Sequence, residues 1–145
     1  MNRVMGIDFG EARIGVALSD PTRTLATPLT TLHEKDKGQQ IKRTAALMAE
    51  HEVTLVVVGI PYRLDGSVGD MAEMAEKFAA KLEQVTGVPV ERTDERFSSI
   101  AAEGALRMAD GGKRKKGKQD KGRIDQAAAA VLLQEWLDAA RRREA

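Results

Sequence analysis

A continuous apolar run in the middle of the chain, TLVVVGIP at residues 54–61, most constrains the fold. A strand with one face in water alternates apolar and polar side chains, whereas an unbroken apolar run is typical of a strand buried on both faces. Such a strand requires helices packed on each side of its sheet. The run therefore predicts an α/β protein, and 145 residues are enough for one domain with a sizeable core.

The first third of the chain predicts three antiparallel strands. Residues 3–9 and 13–19 have the pattern of strands and are joined by the short turn Gly-Glu-Ala, which is typical of a hairpin. Residues 24–32 form a third candidate, which Pro28 restricts to an edge of the sheet because proline donates no backbone hydrogen bond. Short connections of this kind favour antiparallel pairing.

The rest of the chain alternates helices with strands. The predicted helices are at residues 39–51, 68–86, 98–109 and 124–140, and a short strand lies within VPVERTDERF at 88–97. Helical connections between strands predict parallel pairing through right-handed crossovers. We therefore expect a single domain, residues 1–145, with a five-stranded mixed sheet: three antiparallel strands, then two parallel strands, flanked by helices.

Asp8 is a carboxylate inside the first predicted strand, which is otherwise apolar. Alternate side chains of a strand share a face, so Asp8 shares its face with Val4 and Gly6. Either this acid helps to form a turn, as Asp and Gly often do, here in the pattern Asp8-x-Gly10, or its carboxylate takes part in the chemistry of a site. In the second case, we expect Gly6 and Gly10 to leave room around it.

Two further acids occupy positions that are unfavourable for a charge. Glu95 lies where the last predicted strand ends, and Asp125 begins the last predicted helix. Asp125 heads an apolar stripe at helical spacing, formed by Ala128, Ala129, Leu132 and Trp136. A charge beside such a stripe is normally paired, neutralised or bound to a metal. Carboxylate oxygens suit Mg²⁺ or Mn²⁺, and carboxylates around such ions are the apparatus of phosphodiester hydrolysis.

Each of these acids also has an ordinary interpretation. Asp8 would be a turn former, Glu95 half of a surface ion pair, and Asp125 an acid favoured by the dipole at a helix start. Only the meeting of all three in space favours a metal site. His33 and His51 have no predicted role.

A glycine- and lysine-rich segment at residues 110–123 is predicted to be a mobile basic loop. It contains seven cations, Lys113, Arg114, Lys115, Lys116, Lys118, Lys121 and Arg123. Such a run is usually a solvated loop, but this one ends beside Asp125, so phosphates that it attracts would arrive next to the candidate ligands. Lysine and arginine on phosphates give salt-sensitive affinity without sequence information.

Composition excludes several classes of protein. The chain contains no cysteine, which rules out disulfides and thiolate metal sites. No apolar run approaches the roughly 20 residues of a membrane span, and the N-terminus lacks the apolar segment of a signal peptide. We therefore expect a cytoplasmic protein with no membrane partner. Aromatic residues make up only 3% of the chain, so base stacking on exposed rings is poorly provided for.

Four motifs, in order along nearly the whole chain, resemble the YqgF (RuvX-like) family. They are DFGEARIGVA at 8–17, VVVGIPYRLDGS at 56–67, TDERFSS at 93–99 and KGRIDQAAAAVLLQ at 121–134. Members of this family are bacterial proteins described as Holliday junction resolvases and as nucleases that process the precursor of small-subunit ribosomal RNA. The resemblance implies the ribonuclease H-like fold and a nuclease active in maturation of the 5′ end of 16S rRNA.

The resemblance also implies roles for individual residues. Asp8, Glu95 and Asp125 match the family's metal-binding catalytic carboxylates, with Mg²⁺ or Mn²⁺ as cofactor. Arg13 and Lys121 match basic positions and are expected to contact nucleic acid, together with the other cations of the basic segment.

Related nucleases of this fold often use a fourth acid. Ala128 and Ala129 occupy the next positions on the face of Asp125, and Asp94 would point away from Glu95 if the strand persists. A second metal would therefore be loosely held.

Several functions remain open from the sequence. Precursor rRNA or branched DNA would both be possible substrates, and ribosomal precursor particles possible partners. A four-way junction calls for a dimer with two matched sites, whereas single-stranded RNA needs one copy, and the sequence is compatible with a monomer or a weak homodimer. A non-catalytic RNA- or ribosome-binding module is disfavoured by its clustered acids, and an actin-like ATPase by the lack of a second domain.

Overall fold

The computed structural model describes residues 2–63, 65–94 and 118–144, without the side chains of residues 118–122. The strands are β1 (Arg3–Phe9), β2 (Arg13–Ser19), β3 (Ala26–His33), β4 (Val53–Ile60) and β5 (Val90–Asp94). The helices are α1 (Lys37–Glu50), α2 (Asp70–Thr86) and α3 (Lys118–Glu144). Glu95, the helix predicted at 98–109 and residues 110–117 lie outside the described residues.

The five strands form one mixed sheet in the order β3-β2-β1-β4-β5. β2 pairs antiparallel with both β1 and β3, and β4 pairs parallel with both β1 and β5. The predicted arrangement of three antiparallel strands followed by two parallel strands is confirmed. β3, which contains Pro28, lies at an edge as expected, because an edge position does not require a hydrogen-bond donor from every residue.

Each face of the sheet has its own core. α1 and α2 cover one face, where Ile7 and Val58 pack with Phe78. α3 covers the other face, where Val4, Ala17 and Val57 pack against apolar residues of this helix, Ala129, Leu132, Leu133 and Leu137. Val56, Val57 and Val58 of β4 alternate between these two cores and are fully buried, which confirms the interpretation of its apolar run.

The helix that connects β4 and β5 begins at Asp70, two residues later than predicted. The middle of α2 is buried through Ala75, Phe78 and Leu82. Val68 precedes the helix and Val85 lies near its end, and their exposed fractions are 62% and 54%. The helix ends as predicted at Gly87, whose φ of 73° places it in the left-handed region that glycine adopts most easily.

α3 begins earlier than predicted. Its backbone is already helical at Lys118, so the last six residues of the predicted loop, 118–123, lie in this helix. The mid-helix glycine, Gly122, costs about 1 kcal/mol relative to alanine, but Lys, Gln and Arg around it are good helix formers. Packing of the later residues on the sheet stabilises the whole helix. Within the described ranges, no helix is long and apolar enough to cross a membrane.

The turn between β1 and β2 is fixed by a glycine and by a side chain of α1. A Cβ at Gly10 would lie 2.4 Å from the carbonyl oxygen of Arg13, so the tight turn needs glycine there. Buried Gln40 donates from Nε2 to the carbonyl oxygens of Glu11 at 2.9 Å and Glu34 at 2.7 Å. These two bonds hold the turn and the end of β3 against α1.

Candidate active site

Asp8 lies near the carboxyl end of β1 with a glycine on each side. It pairs with Gly15 of β2 and with Gly59 of β4. Paired residues on neighbouring strands point to the same face, so neither strand places a side chain beside the half-buried carboxylate. This face is the one that α3 covers, since Val4 of the same strand packs against that helix.

The expectation that Gly6 and Gly10 leave room around Asp8 is wrong. A Cβ at Gly6 would lie 2.7 Å from Cβ of Leu133 and 3.0 Å from the carbonyl oxygen of Ala129, so α3 occupies that space. Gly10 serves the turn. Gly15, the register partner of Asp8, instead makes room for the backbone of Asp125, a contact that sequence spacing does not show because register is a long-range property.

Helix α3 brings Asp125 directly onto β2 at Gly15. A Cβ at Gly15 would lie 2.0 Å from the carbonyl oxygen of Asp125 and 2.9 Å from its Cβ, so only glycine allows this approach. Because Gly15 pairs with Asp8, the two acids are neighbours on one face of the sheet. Asp125 also lies about two turns inside the helix, beyond the reach of the favourable dipole at a helix start. The helix-end interpretation of this acid is therefore wrong.

The carboxylate of Asp125 accepts a hydrogen bond from Nε of Arg13 at 2.8 Å. The side chain of Asp125 is 18% exposed and that of Arg13 is 37% exposed. Burial raises the pKa of Asp125, and the hydrogen bond and charge of Arg13, together with the charge of His33, oppose this rise only in part. The two terminal nitrogens of Arg13 form no hydrogen bond within the part of the chain that the structure describes, so they are available to a ligand.

His33 belongs to the surroundings of this site, although no role was predicted for it. It is the last residue of β3 and pairs with Arg13 across the β2–β3 ladder. Only strand register shows this proximity, because His33 is separated from Asp125 by most of the chain.

The remaining predicted residues fall into three groups. Asp94 pairs with Ile60, which belongs to the core under α1 and α2, so this acid lies on the face opposite Asp8. Arg123 is exposed on α3, and the backbones of Lys118 and Lys121 belong to the same helix. Four basic residues lie with Glu95 outside the described residues: Lys113, Arg114, Lys115 and Lys116. Among residues that the structure describes, no three His, Cys, Asp or Glu side chains form a group that could hold a metal.

The order of the strands and the placement of acids at one edge define a protein of the ribonuclease H-like fold. The chain is similar to RuvC of Thermus thermophilus in complex with a Holliday junction substrate, with a TM-score of 0.58 and 18% identity over 97% of this chain and 96% of that one. It is also similar to the Holliday junction resolvase of fowlpox virus, with a TM-score of 0.58 and 12% identity over 94% and 99%. At these identities the likeness shows the fold alone.

Sequence comparison identifies the family. The profile of the RuvX family, described as Holliday junction resolvase, matches residues 2–139. A protein of Roseiflexus sp. (strain RS-1) is 42% identical over 96% of both chains. A protein of Anaeromyxobacter sp. (strain Fw109-5) is 43% identical over 94% of this chain and 96% of its own. Both are provisionally named pre-16S rRNA nucleases. The chain belongs to the RuvX family, which confirms the resemblance drawn from its four motifs.

Proposed function

We propose that this chain is a divalent-metal-dependent nuclease that hydrolyses phosphodiester bonds in the precursor of 16S rRNA, during maturation of its 5′ end. Membership of a resolvase family and the names of the relatives support nuclease chemistry and an RNA substrate. The observation that carries the proposal is the approach of Asp125 to Asp8 across Gly15.

The donor set fits Mg²⁺ or Mn²⁺. Asp8 and Asp125 supply carboxylate oxygens, the ligands that these hard cations prefer. Asp125 lies against Gly15, the register partner of Asp8, so the two acids face the same region of the sheet. Because burial raises the pKa of Asp125, a neighbouring cation would stabilise its ionised form. Glu95, which follows β5 in the sequence, is the third ligand that the family resemblance implies.

The side chains around the site have distinct tasks in this proposal. A bound divalent cation would neutralise the scissile phosphate and lower the pKa of an attacking water. Asp8 and Asp125 would hold the ion from two different elements, β1 and α3. Arg13 orients Asp125 through Nε and donates from its terminal nitrogens to a phosphate oxygen. Lys121, Arg123 and the cations at 113–118 attract the nucleic-acid backbone.

Resolution of Holliday junctions is the second candidate, because the family profile carries that description. A junction has two symmetric strands to cut, so this activity requires a dimer with two sites in matched geometry. Cleavage of single-stranded RNA requires one site. The two functions therefore differ in the oligomeric state that active protein must have.

One experiment tests both candidates. The purified protein is incubated with Mg²⁺ or Mn²⁺ and either labelled RNA that spans the 5′ end of 16S rRNA or a synthetic four-way junction. Asp8→Asn should abolish metal-dependent cleavage without unfolding the protein. Asp94→Asn is the matched control, since this acid lies at the same edge of the sheet but on the opposite face. Symmetric nicking of the junction would favour the resolvase, and unchanged cleavage by Asp8→Asn would refute the proposed site.

A further inference from the structure

A groove of about 870 Å³ lies between α1 and α2, on the face of the sheet opposite α3. Its floor is formed by apolar residues, Phe9, Ile41, Met74, Phe78 and Val85. The groove begins at the edge that carries the candidate active site, because Phe9 directly follows Asp8 in β1 and Glu11 lies in the turn after it. A volume of this size is typical of sites that enclose small organic molecules of several rings.

The rim of this groove is strongly basic. All five lysines that occur before residue 95 line it, namely Lys35, Lys37, Lys42, Lys77 and Lys81. Lys77 pairs with Glu73 at 3.2 Å, whereas the other four form no ion pair with the described residues. Three of the arginines that occur before residue 95 are instead paired with carboxylates: Arg13 with Asp125, Arg43 with Glu34 and Arg92 with Glu76. Four of the five lysines are therefore left to an external anion.

We propose that this groove binds single-stranded nucleic acid, with bases on the apolar floor and phosphates at the lysine rim. A duplex buries its bases and presents phosphates and sugars outward, so it gains nothing from an apolar floor between the lysines. A single strand can turn its bases to the floor and its backbone to the cations at the same time. The groove thus distinguishes a single strand from a duplex, in addition to attracting negative charge.

The position of the groove identifies the strand as the part of the substrate that flanks the cleaved bond. This assignment rests on the proposed function, whereas binding of a single strand does not. A second copy of this chain is a poor occupant, because a symmetric contact would bring the lysines of both copies together. A partner with an acidic amphipathic helix would match the rim and floor, but would have no reason to adjoin the catalytic edge.

The first test measures binding without cleavage. Fluorescence anisotropy in EDTA compares a labelled single-stranded RNA of about 12 nucleotides with a duplex of the same sequence. Lys42→Gln/Lys81→Gln removes one unpaired cation from each side of the groove. At about 0.15 M salt we expect single-strand affinity to fall about tenfold, and the salt slope to fall by about 1.4, as for two lost phosphate contacts. The control Arg142→Gln/Arg143→Gln removes the same charge from the exposed end of α3 and should leave affinity unchanged.

The second test distinguishes the contribution of the apolar floor to binding from that of the basic rim. Val85→Asn removes apolar surface at a position that is 54% exposed, so the fold should tolerate it. Single-strand affinity should fall about threefold with an unchanged salt slope, because apolar area is lost and charge is not. Val68→Asn is the matched control, since Val68 is 62% exposed and does not line the groove.

The outcomes separate this inference from the proposed function. Equal losses for single strand and duplex would refute the selection of strandedness, and normal binding by the lysine variant would refute the groove as a binding site. Either result could accompany intact metal-dependent cleavage, in which case only the groove inference fails. Conversely, groove-dependent binding by a protein that cleaves nothing would leave this inference standing and refute the nuclease.

Discussion

Replacing Gly15 with alanine adds one methyl group, which should move Asp125 away from Asp8. In Gly15→Ala, the new Cβ would lie 2.0 Å from the carbonyl oxygen of Asp125, where real Cβ atoms stay at least 3.0 Å from such an atom. Both partners are backbone of packed elements, so no side-chain rotation relieves the clash. α3 must therefore move away from β2 by about 1 Å.

Two effects of known size follow from that movement. Overpacking of a core typically costs about 1–3 kcal/mol, and we expect the free energy of unfolding to fall by that amount. A misplacement of about 1 Å in a catalytic group can cost about 100-fold in rate. Because Asp125 moves relative to Asp8, we expect metal-dependent cleavage to fall by about that factor in protein that remains folded.

Urea denaturation and cleavage at saturating Mn²⁺ measure the two effects separately. Gly69→Ala is the matched control, since its Cβ would lie 2.8 Å from Nε of Arg63, an exposed side chain that can move aside. That variant should lose less than about 1 kcal/mol and cleave normally. Wild-type stability of Gly15→Ala would refute the contact with Asp125. Reduced stability with unchanged cleavage would refute the role of Asp125.

Two other perturbations probe the same site. Arg13→Gln and Arg92→Gln each break a partly exposed ion pair, so each should lower the free energy of unfolding by less than about 1 kcal/mol. Only Arg13→Gln should reduce cleavage, because only Arg13 lies at the site. Equal cleavage by both variants would contradict the contact between Arg13 and the substrate. Burial raises the pKa of Asp125, so its ionised form opposes folding above the folded-state pKa, and this penalty vanishes below about pH 4. Metal-free Asp125→Asn should therefore be more stable than wild type at pH 7, and this gain in stability should disappear in acid. Urea denaturation at several pH values measures it. A lower stability of the variant at pH 7 would show that the ion pair with Arg13 outweighs the cost of burial.

Local patterns were sufficient to predict the sheet. The bounds of β1 and β2 agree with the predicted strands at 3–9 and 13–19, because apolar runs closed by a glycine turn are visible in the sequence itself. Pro28 correctly placed β3 at an edge. The stripe that begins at Asp125 was also identified correctly, since residues three and four apart share one face of a helix.

The details of the site depended on contacts that sequence spacing does not contain. The functions of Gly6 and Gly15 are set by α3, more than a hundred residues away, so neither could be assigned from its neighbours. The early start of α3 was missed because lysines and a glycine are equally typical of a loop. The role of Glu95, the cytoplasmic location and the monomer or weak dimer stay predictions.

One consequence of α3 concerns insertions and deletions. The helix carries the carboxylate of Asp125 and, from Ala128 onward, the side chains that fix the helix on the sheet. Each helical residue adds about 100° of rotation and about 1.5 Å of length. A single residue gained or lost between Asp125 and Ala129 would therefore swing the carboxylate more than a quarter of a turn away from Arg13 while the core stayed in place. The number of residues between Asp125 and the core positions of α3 is thus fixed, and the helix can vary in length before Asp125 or after Leu137 far more freely than between them.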